Sequence, residues 1–264
     1  MTSSILIIPA REGSKGVKEK NRRPIKGTPL FLRTLNHARI VAGSTLDICI
    51  SSDDAATWEL FLHHMKLKGR KWSDIQVNEI VKCDKIWFHK RSLELSGDSS
   101  LVISLLQEIR SILTKNNLSF VTWCLFQPTT PFRSRSELES IRNFLRTCNE
   151  FESLVSVTKV EEIHPARMYS INGNSLVSLP GYEENYYSRR QDLPEVYIRD
   201  GGIYVIGDSL VRDGVQYSQS PKFIQRNWPW SINIDSVQDF LMASTVESEL
   251  VADDPNESVP KYES

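Results

Sequence analysis

The chain has 264 residues, enough to bury one sizeable core with or without an extension. Lysine and arginine number 32 against 33 aspartates and glutamates, so the overall charge argues against a nucleic-acid-binding module. The sequence contains no run approaching the roughly 20 apolar residues that span a bilayer, and its N-terminus lacks the basic segment of a signal peptide. These features predict a cytoplasmic protein with neither a membrane nor a nucleic-acid partner.

The cysteines are Cys49, Cys83, Cys124 and Cys148, and no two of them form a C-x-x-C pair. Two lie within apolar runs, so we expect buried free thiols, which fits a reducing compartment. The five histidines also lack a metal-type spacing.

Short apolar runs alternate with helical patterns along the first 160 residues. Strands are predicted at 4–10, 46–52, 86–91, 120–127 and 153–160, and helices at 29–43, 54–68, 98–115 and 136–148. This alternation predicts a doubly wound, mostly parallel, Rossmann-like α/β sheet. Such sheets bind ligands at the carboxyl ends of their strands, near a switch in strand order.

The pattern changes after residue 160. Residues 160–198 are rich in turns and include Asn172-Gly173, a hairpin signal, so we predict a β-rich extension there. Strands at 201–207 and 222–228 and a helix at 236–249 then return to the main domain. The predicted α/β domain therefore comprises 1–159 and 199–250, and the polar segment 251–264 is expected to be a flexible tail.

A basic loop follows the first predicted strand. Between Arg11 and Arg23 it carries six basic residues and two acidic ones. Gly13 and Gly16 would let its backbone approach an anion closely, and the arginines and lysines would supply charge. The loop matches neither common phosphate-binding glycine pattern, and a solvated charged face is the alternative interpretation.

Five stretches of the sequence, in order, resemble motifs of the acylneuraminate cytidylyltransferase family. They are IIPAREGSKGVKEKN (7–21), ISSDD (50–54), LFQPTTPFR (125–133), RRQDLPEVYIRDGGIYV (189–205) and SINIDSVQDF (231–240). The resemblance spans most of the chain. It implies a nucleotidyltransferase that joins CTP to a sialic-acid-like nine-carbon 2-keto sugar acid and releases pyrophosphate. Legionaminic, pseudaminic and deaminated sialic acids are candidate sugars.

The resemblance also implies roles for individual residues. The triphosphate would be held by Arg11, Ser14, Lys15, Lys20 and Asn21, with Arg91 near the nucleotide. The sugar would contact Gln127, Arg167 and Arg190. The groups expected to act directly in the reaction are Arg11, Lys20, Gln127 and Asp235. Asp98 would either contact the ligand or cap the helix that follows it, and Arg133 would be structural.

The family places two aspartates two positions apart to bind Mg²⁺, but this chain has Asn233 and Asp235. An amide oxygen binds Mg²⁺ without contributing charge, so we expect weaker metal binding, or help from Asp239 or the phosphates. Asp200 replaces a family asparagine and would repel an acidic sugar unless its side chain is turned away.

The resemblance further implies a homodimer in which the extension supplies contacts between subunits and helps to bind the sugar. Two alternatives remain. One is a synthetase of the CMP-KDO type, whose loop motif fits less well. The other is a nucleotide-binding homologue that has lost catalysis, for which Asn233 is the main argument.

Overall fold

The structure, a computed structural model, describes residues 3–13, 16–97, 100–160, 163–181 and 189–253. The side chains of Arg190 and of residues 248–253 lie outside this description. Among the described helices, none is both long and apolar enough to span a bilayer.

The chain folds around one eight-stranded sheet in the order β12-β8-β11-β7-β1-β4-β6-β5. Its strands are β1 (Ser4–Pro9), β4 (Asp47–Ser52), β5 (Ile80–Cys83), β6 (Ile86–Lys90), β7 (Thr122–Phe126), β8 (Ser153–Lys159), β11 (Tyr197–Gly207) and β12 (Lys222–Gln225). Six of them run in one direction, and β5 and β11 run in the other. Two small antiparallel pairs are separate from this sheet: β2 (Pro24–Ile25) with β3 (Thr28–Pro29), and β9 (Tyr169–Asn172) with β10 (Ser175–Ser178).

Helices cover both faces of the sheet. The helices are α1 (Leu30–Ala42), α2 (Ala55–His64), α3 (Leu93–Ser96), α4 (Val102–Lys115), α5 (Arg135–Thr147), α6 (Asp208–Arg212) and α7 (Val237–Asp253). One core joins α1, α2 and α5 to the sheet through side chains such as Leu6 and Ile8, and another joins α4 and α6 through Ile5 and Ile7. Alternate residues of β1 thus enter opposite cores, as expected for a strand buried on both faces.

A third core lies beside the sheet and fixes the basic loop. Val17 from that loop packs with Phe132, Ile234 and residues of α7 such as Phe240. This apolar cluster brings the segment after β1 next to the segment before α7, although the two are more than 200 residues apart in the chain.

The predicted fold class is confirmed, because most strands of the central sheet are parallel. Several element limits differ from the sequence prediction. The helix predicted at 54–68 ends at His64, and the one predicted from 98 begins at Val102 after the separate turn α3. The helix predicted at 236–249 continues to Asp253.

Strand β11 begins at Tyr197, inside the segment predicted as an extension. It pairs with β8 from Tyr197 opposite Lys159 onwards, with an irregularity between Arg199 and Tyr204. The central sheet therefore crosses the limit drawn at residue 198. The assignment of 160–198 to a separate extension stays a prediction.

The four cysteines are free, and Cys49, Cys124 and Cys148 are buried, as the sequence predicted. Burial raises the pKa of the Cys49 thiol to about 12 and also raises that of Cys124. These thiols are packing residues and not nucleophiles.

Candidate active site

A pocket of about 270 Å³ opens at the carboxyl ends of β1 and β7. The chain passes from β1 outward to β4 and β6, then crosses to β7 on the other side of β1. The pocket therefore lies at the switch point of the sheet, where α/β proteins bind their ligands. Six residues singled out from the sequence line it: Arg11, Lys20, Asn21, Arg91, Gln127 and Asp235.

The basic loop folds back on itself at the pocket. Asn21 is buried and donates from its side-chain amide to the Arg11 carbonyl oxygen over 2.7 Å. Arg11 in turn donates from Nη1 to the Ser96 carbonyl oxygen at the end of α3, over 2.9 Å. Asn21 therefore closes the loop, and its nitrogen is engaged with the backbone of the loop itself.

Gly16 has a local structural reason to be glycine. A Cβ atom at this position would lie 1.8 Å from the backbone oxygen of Asp235. The loop thus passes directly against the Asp235 backbone, closer than any side chain permits. We expected this glycine to let the loop approach an anion, but its close contact is with the segment that carries Asp235.

Lys20 joins the two segments from the other side. Its Nζ donates to the Ile234 carbonyl oxygen over 2.7 Å and lies 3.4 Å from Oδ1 of Asp235. The Asp235 side chain is 71% exposed, whereas that of Lys20 is 11% exposed. An ammonium group and an open carboxylate therefore stand together at the pocket wall.

Asn233 lies beside Asp235. Its amide nitrogen donates to Oδ2 of Asp235 over 2.8 Å, and its buried Oδ1 has no hydrogen-bond partner in the described part of the chain. An unpaired amide oxygen and an exposed carboxylate are the hard oxygen donors that Mg²⁺ prefers. Asp235 offers a metal its open carboxylate, and Asn233 would offer its oxygen only after a turn of the amide, because its nitrogen faces Asp235 and its oxygen is buried. Further ligands would come from phosphates, since the described residues hold no cluster of three acidic, histidine or cysteine side chains suited to a metal.

Asp239 holds the segment that carries Asp235. Its Oδ2 accepts bonds from the backbone nitrogens of Asp235 and Ser236 and from the Ser236 hydroxyl. These contacts tie down the start of α7 and the Asp235 backbone, and they lower the pKa of Asp239 against the opposing effect of burial. The carboxylate thus orients the Asp235 segment.

Arg91 follows β6 and is almost fully buried where it reaches the pocket. Its Nε donates to Oγ of Ser51 over 3.2 Å, and its Nη2 donates to the Ser51 carbonyl oxygen over 3.1 Å. Burial lowers the pKa of Arg91 to about 10, so the guanidinium remains charged at neutral pH. Ser51 was not singled out from the sequence.

Gln127 is held at the pocket by a buried arginine. Arg133 donates to the backbone oxygens of Gln127 and Gly202 and to the hydroxyl of Thr130, and it stacks on the Phe126 ring. Burial lowers its pKa to about 9. The structural role expected for Arg133 is confirmed by these contacts, which fix the turn after β7.

Asp200 is turned away from the pocket and paired. Its carboxylate accepts bonds from Arg226 over 3.2 Å, from the backbone nitrogen of Gly202 over 2.9 Å and from the hydroxyls of Ser156 and Thr158. It is absent from the pocket lining. The repulsion of an acidic ligand that its sequence position suggested therefore does not arise.

Not every residue singled out from the sequence lies at the pocket. Arg167 is exposed at the end of a 3₁₀ turn, Pro165–Arg167, and does not line the pocket. Arg190 begins another such turn, Arg190–Asp192, but its side chain is outside the described part. Ser14, Lys15 and Asp98 lie outside the described residues.

One wall of the pocket is apolar, which the sequence analysis missed. It is built from Leu95, Leu101, Val102 and Leu105, around the start of α4. Leu101 is 67% exposed although it precedes a buried helix. The sequence placed these residues in and just before a predicted helix, at 98–115, but nothing in the helical pattern indicated that this end of the helix lines a pocket.

The pocket has a cationic side, an apolar side and an open carboxylate. This combination suits a ligand with phosphates and a flat or carbon-rich group. The fold is a Rossmann-like nucleotidyltransferase fold. A solved CMP:2-keto-3-deoxy-manno-octonic acid synthetase in complex with CTP matches it with a TM-score of 0.58, over 94% of this chain and 99% of that chain, at 12% identity.

The sequence comparisons point to cytidylyltransferases among proteins of this fold. Residues 5–67 match the family model described as cytidylyltransferase. An N-acylneuraminate cytidylyltransferase of Streptococcus agalactiae is 26% identical over 241 residues, 90% of this chain and 51% of that protein. A pseudaminic acid cytidylyltransferase of Campylobacter jejuni is 28% identical over 246 residues, 91% of this chain and 94% of that protein. The resemblance to acylneuraminate cytidylyltransferases is confirmed by these matches. The chain spans about half the length of the Streptococcus relative.

Proposed function

We propose that this chain is a cytidylyltransferase that joins CTP to a nine-carbon 2-keto sugar acid. The observation that carries the proposal is the pocket itself. Residues from the basic loop, from the segments that follow β6 and β7 and from the segment before α7 line it. Six of them are residues to which the resemblance assigned a role in binding or in the reaction. The matched relatives act on N-acylneuraminate and on pseudaminic acid by name, and this chain is similar to both.

The charges at the pocket suit the proposed reaction. Arg11, Lys20 and Arg91 line it and carry positive charge opposite the triphosphate. The hydroxyl oxygen on the anomeric carbon of the sugar attacks the α-phosphorus and loses its proton to water. The bond between the α-phosphorus and the oxygen that bridges to the β-phosphorus breaks, and pyrophosphate leaves with that electron pair. Cations held in place before the reaction stabilise the charge that develops on the departing group.

The remaining groups act by placing the two reactants. The Gln127 side chain lies at the pocket, and its backbone is fixed by Arg133. The apolar wall around Leu101 would exclude water from one side of the nucleotide. Holding two reactants in line removes much of the entropic part of the barrier.

Mg²⁺ is part of the proposal. Asp235 and Asn233 would hold it together with phosphate oxygens, since Mg²⁺ commonly takes only one or two protein ligands in such sites. When bound, it would neutralise phosphate charge and help to align the triphosphate. A half-turn of the Asn233 amide exchanges its nitrogen and oxygen, which would present the oxygen to a cation next to Asp235.

A homodimer is also part of the proposal. Strands β9 and β10 form a hairpin with an exposed apolar pair, in which Ile171 and Leu176 are opposite each other and are 79% and 67% exposed. Tyr197 and Ile198 on β11 are exposed as well. Contiguous exposed apolar side chains are typical of an interface, and a second copy would also bring another extension to the sugar, for which Arg167 and Arg190 stay candidates.

Two other functions remain to be tested. The CMP-KDO type reaction is favoured by the fold match with the solved synthetase. That match is weak support for the same substrate, because the two sequences are only 12% identical. A nucleotide-binding homologue without catalysis is favoured by the Asn233 substitution, since it removes one negative charge from the metal site.

Pyrophosphate release tests all three functions. CTP and Mg²⁺ are incubated with the protein and one sugar at a time, namely several nine-carbon keto acids and KDO, each against a control without sugar. Release with a nine-carbon sugar supports the proposal, and release with KDO alone supports the first alternative. If every sugar is silent while CTP still binds, the proposed activity is wrong and the second alternative holds.

A further inference from the structure

A buried row of polar side chains runs from Arg91 into the protein. Ser51 is fully buried, and its Oγ lies 2.9 Å from Nδ1 of His89, its partner across the β4–β6 pair. His89 is also fully buried, and its Nε2 lies 3.7 Å from Oε1 of Glu108 on α4. Both carboxylate oxygens of Glu108 are buried and lack a hydrogen-bond partner among the described residues. A buried carboxylate in this state requires an explanation.

The directions of the hydrogen bonds form a consistent series. Nε of Arg91 is a donor only, so Ser51 accepts from it and can donate its own hydrogen to Nδ1 of His89. Nδ1 is then the acceptor nitrogen of a neutral imidazole, and Nε2 carries the hydrogen on the side of Glu108. The 3.7 Å between Nε2 and Oε1 is too long for a hydrogen bond, so this last contact is electrostatic. Burial lowers the pKa of His89, which favours this neutral form, although Glu108 opposes the effect.

The row ends in opposite charges with two neutral groups between them. Burial has the largest effect on the pKa of Arg91 and lowers it. Asp53 opposes burial by favouring the charged form, Arg11 disfavours that form, and Glu108 favours it to a smaller extent. Two donor nitrogens of the guanidinium are engaged with Ser51. Among the described residues, no hydrogen-bond acceptor is present for Nη1, which leaves this nitrogen for a ligand of the pocket that Arg91 lines.

A serine, a histidine and a glutamate in a row also resemble a hydrolase triad. That interpretation fails here because Ser51 is 0% exposed and its oxygen already accepts from Arg91. No substrate reaches it, so the row can act only through Arg91.

We propose that Glu108, His89 and Ser51 are positioning residues that hold the Arg91 guanidinium in the orientation required by an anionic phosphate group in the pocket. This inference rests on the proposed nucleotide site. It adds a buried support for Arg91, of which Ser51 belongs to the motif ISSDD and His89 and Glu108 belong to none of the five motifs. The support fixes which edge of the guanidinium faces the ligand. With Nε and one hydrogen of Nη2 bonded to Ser51, the remaining edge consists of Nη1 and the second hydrogen of Nη2, and such an edge binds a phosphate through two parallel hydrogen bonds.

The test is a double-mutant cycle on the full chain. Dissociation constants for CTP and for inorganic pyrophosphate are measured by calorimetry for the wild type, Glu108→Gln, Arg91→Gln and the double variant. Glu108→Gln keeps the side-chain shape and removes the negative charge that lies 3.7 Å from Nε2 of His89. It should weaken binding roughly fivefold to tenfold, because the imidazole loses the charge that orients it. In the Arg91→Gln background the same change should have no effect, because the row acts only through Arg91.

Two further variants separate positioning from stability. Glu247→Gln removes another buried carboxylate, which pairs with Arg33 at 2.5 Å and is absent from the pocket lining. It should change unfolding and leave ligand affinity unchanged. Ser51→Ala removes the hydroxyl that accepts from Nε of Arg91 and that links it to His89. This variant replaces Glu108→Gln in the cycle if Glu108→Gln does not fold.

Equal effects of Glu108→Gln in both backgrounds, or no effect in either, would overturn the positioning proposal. Pyrophosphate binding without CTP binding by the wild type would contradict the proposed function and still allow the cycle to be judged. Wild-type protein that binds neither probe would overturn both.

Discussion

Lys20 and Asp235 are 215 positions apart in the chain, and the Nζ of one lies 3.4 Å from Oδ1 of the other. The lysine is also anchored by its bond to the Ile234 carbonyl oxygen. The ammonium group therefore shares the Asp235 carboxylate that we propose as a metal ligand. A bound triphosphate with Mg²⁺ would give each cation its own oxygen partners.

Replacing Lys20 with alanine should weaken CTP binding by roughly tenfold to a hundredfold. Hydrogen bonds from charged groups contribute about 1.5–3 kcal/mol, and this ammonium lines the pocket. The measurement is calorimetric titration with CTP. Lys18→Ala is the matched control, because Lys18 is an exposed lysine of the same loop that does not line the pocket. Unchanged CTP affinity in Lys20→Ala would remove Lys20 from the phosphate site.

Replacing Asn233 with aspartate should strengthen Mg²⁺ binding. The new carboxylate would lie next to Asp235, where the amide nitrogen now donates over 2.8 Å. Without metal the two negative charges should repel and lower the melting temperature, and Mg²⁺ should restore it. The measurement is thermal unfolding with increasing Mg²⁺.

Asn227→Asp adds the same charge at an exposed position away from the pocket and serves as the control. Turnover of Asn233→Asp should equal or exceed that of the wild type at limiting Mg²⁺. A folded Asn233→Asp protein with the Mg²⁺ response of the wild type would show that position 233 does not contact the metal.

The sequence predicted the central sheet well because its strands are continuous apolar runs. Ser4–Pro9 and Thr122–Phe126 are almost wholly buried, so no polar alternation disturbs the signal. Element ends were harder to predict. The helix predicted from residue 98 begins at Val102, because Leu101 has extended backbone angles and the turn α3 precedes it.

Pairs distant in the chain could not be predicted from one sequence. Asp200 seemed repulsive to an acidic ligand, but Arg226 neutralises it within the protein. The contact of Gly16 with Asp235 and the row that joins Glu108 to His89 likewise depend on how segments pack together. Residue type and spacing indicate which residues could take part in binding or catalysis. Which distant residues contact one another can be seen only in the three-dimensional structure.

The exposed hairpin leads to a prediction about assembly. Ile171→Glu should convert a dimer into monomers, since it places a charge in the apolar surface formed by Ile171 and Leu176. Asn172→Glu is the matched control, because side chains alternate along a strand and Asn172 lies on the other face of the hairpin. Molar mass from light scattering during gel filtration decides the outcome. A monomeric wild-type protein would refute the homodimer.

Acid should destabilise this protein already between about pH 6.5 and pH 5. His37 on α1 is fully buried, and its pKa is lowered well below the usual 6.5 by burial first and then by Arg133, Arg33 and Arg226. Neither ring nitrogen has a hydrogen-bond partner within the described residues. Below about pH 6.5 the unfolded chain therefore binds a proton at His37, whereas the folded chain does not. The free energy of unfolding is largest above pH 6.5 and should fall by about 1.4 kcal/mol per pH unit below it for this residue.

His37→Leu removes that proton and should make the pH dependence shallower by about this amount. Urea unfolding at several pH values between about 7.5 and 5 measures it, and the slope is compared instead of the stability at one pH, because the leucine also changes packing. His63→Leu, at an exposed histidine of α2, controls for the loss of a histidine as such. The slope should become shallower in His37→Leu and stay unchanged in His63→Leu. An unchanged slope would mean that His37 takes up its proton equally in the folded and unfolded states.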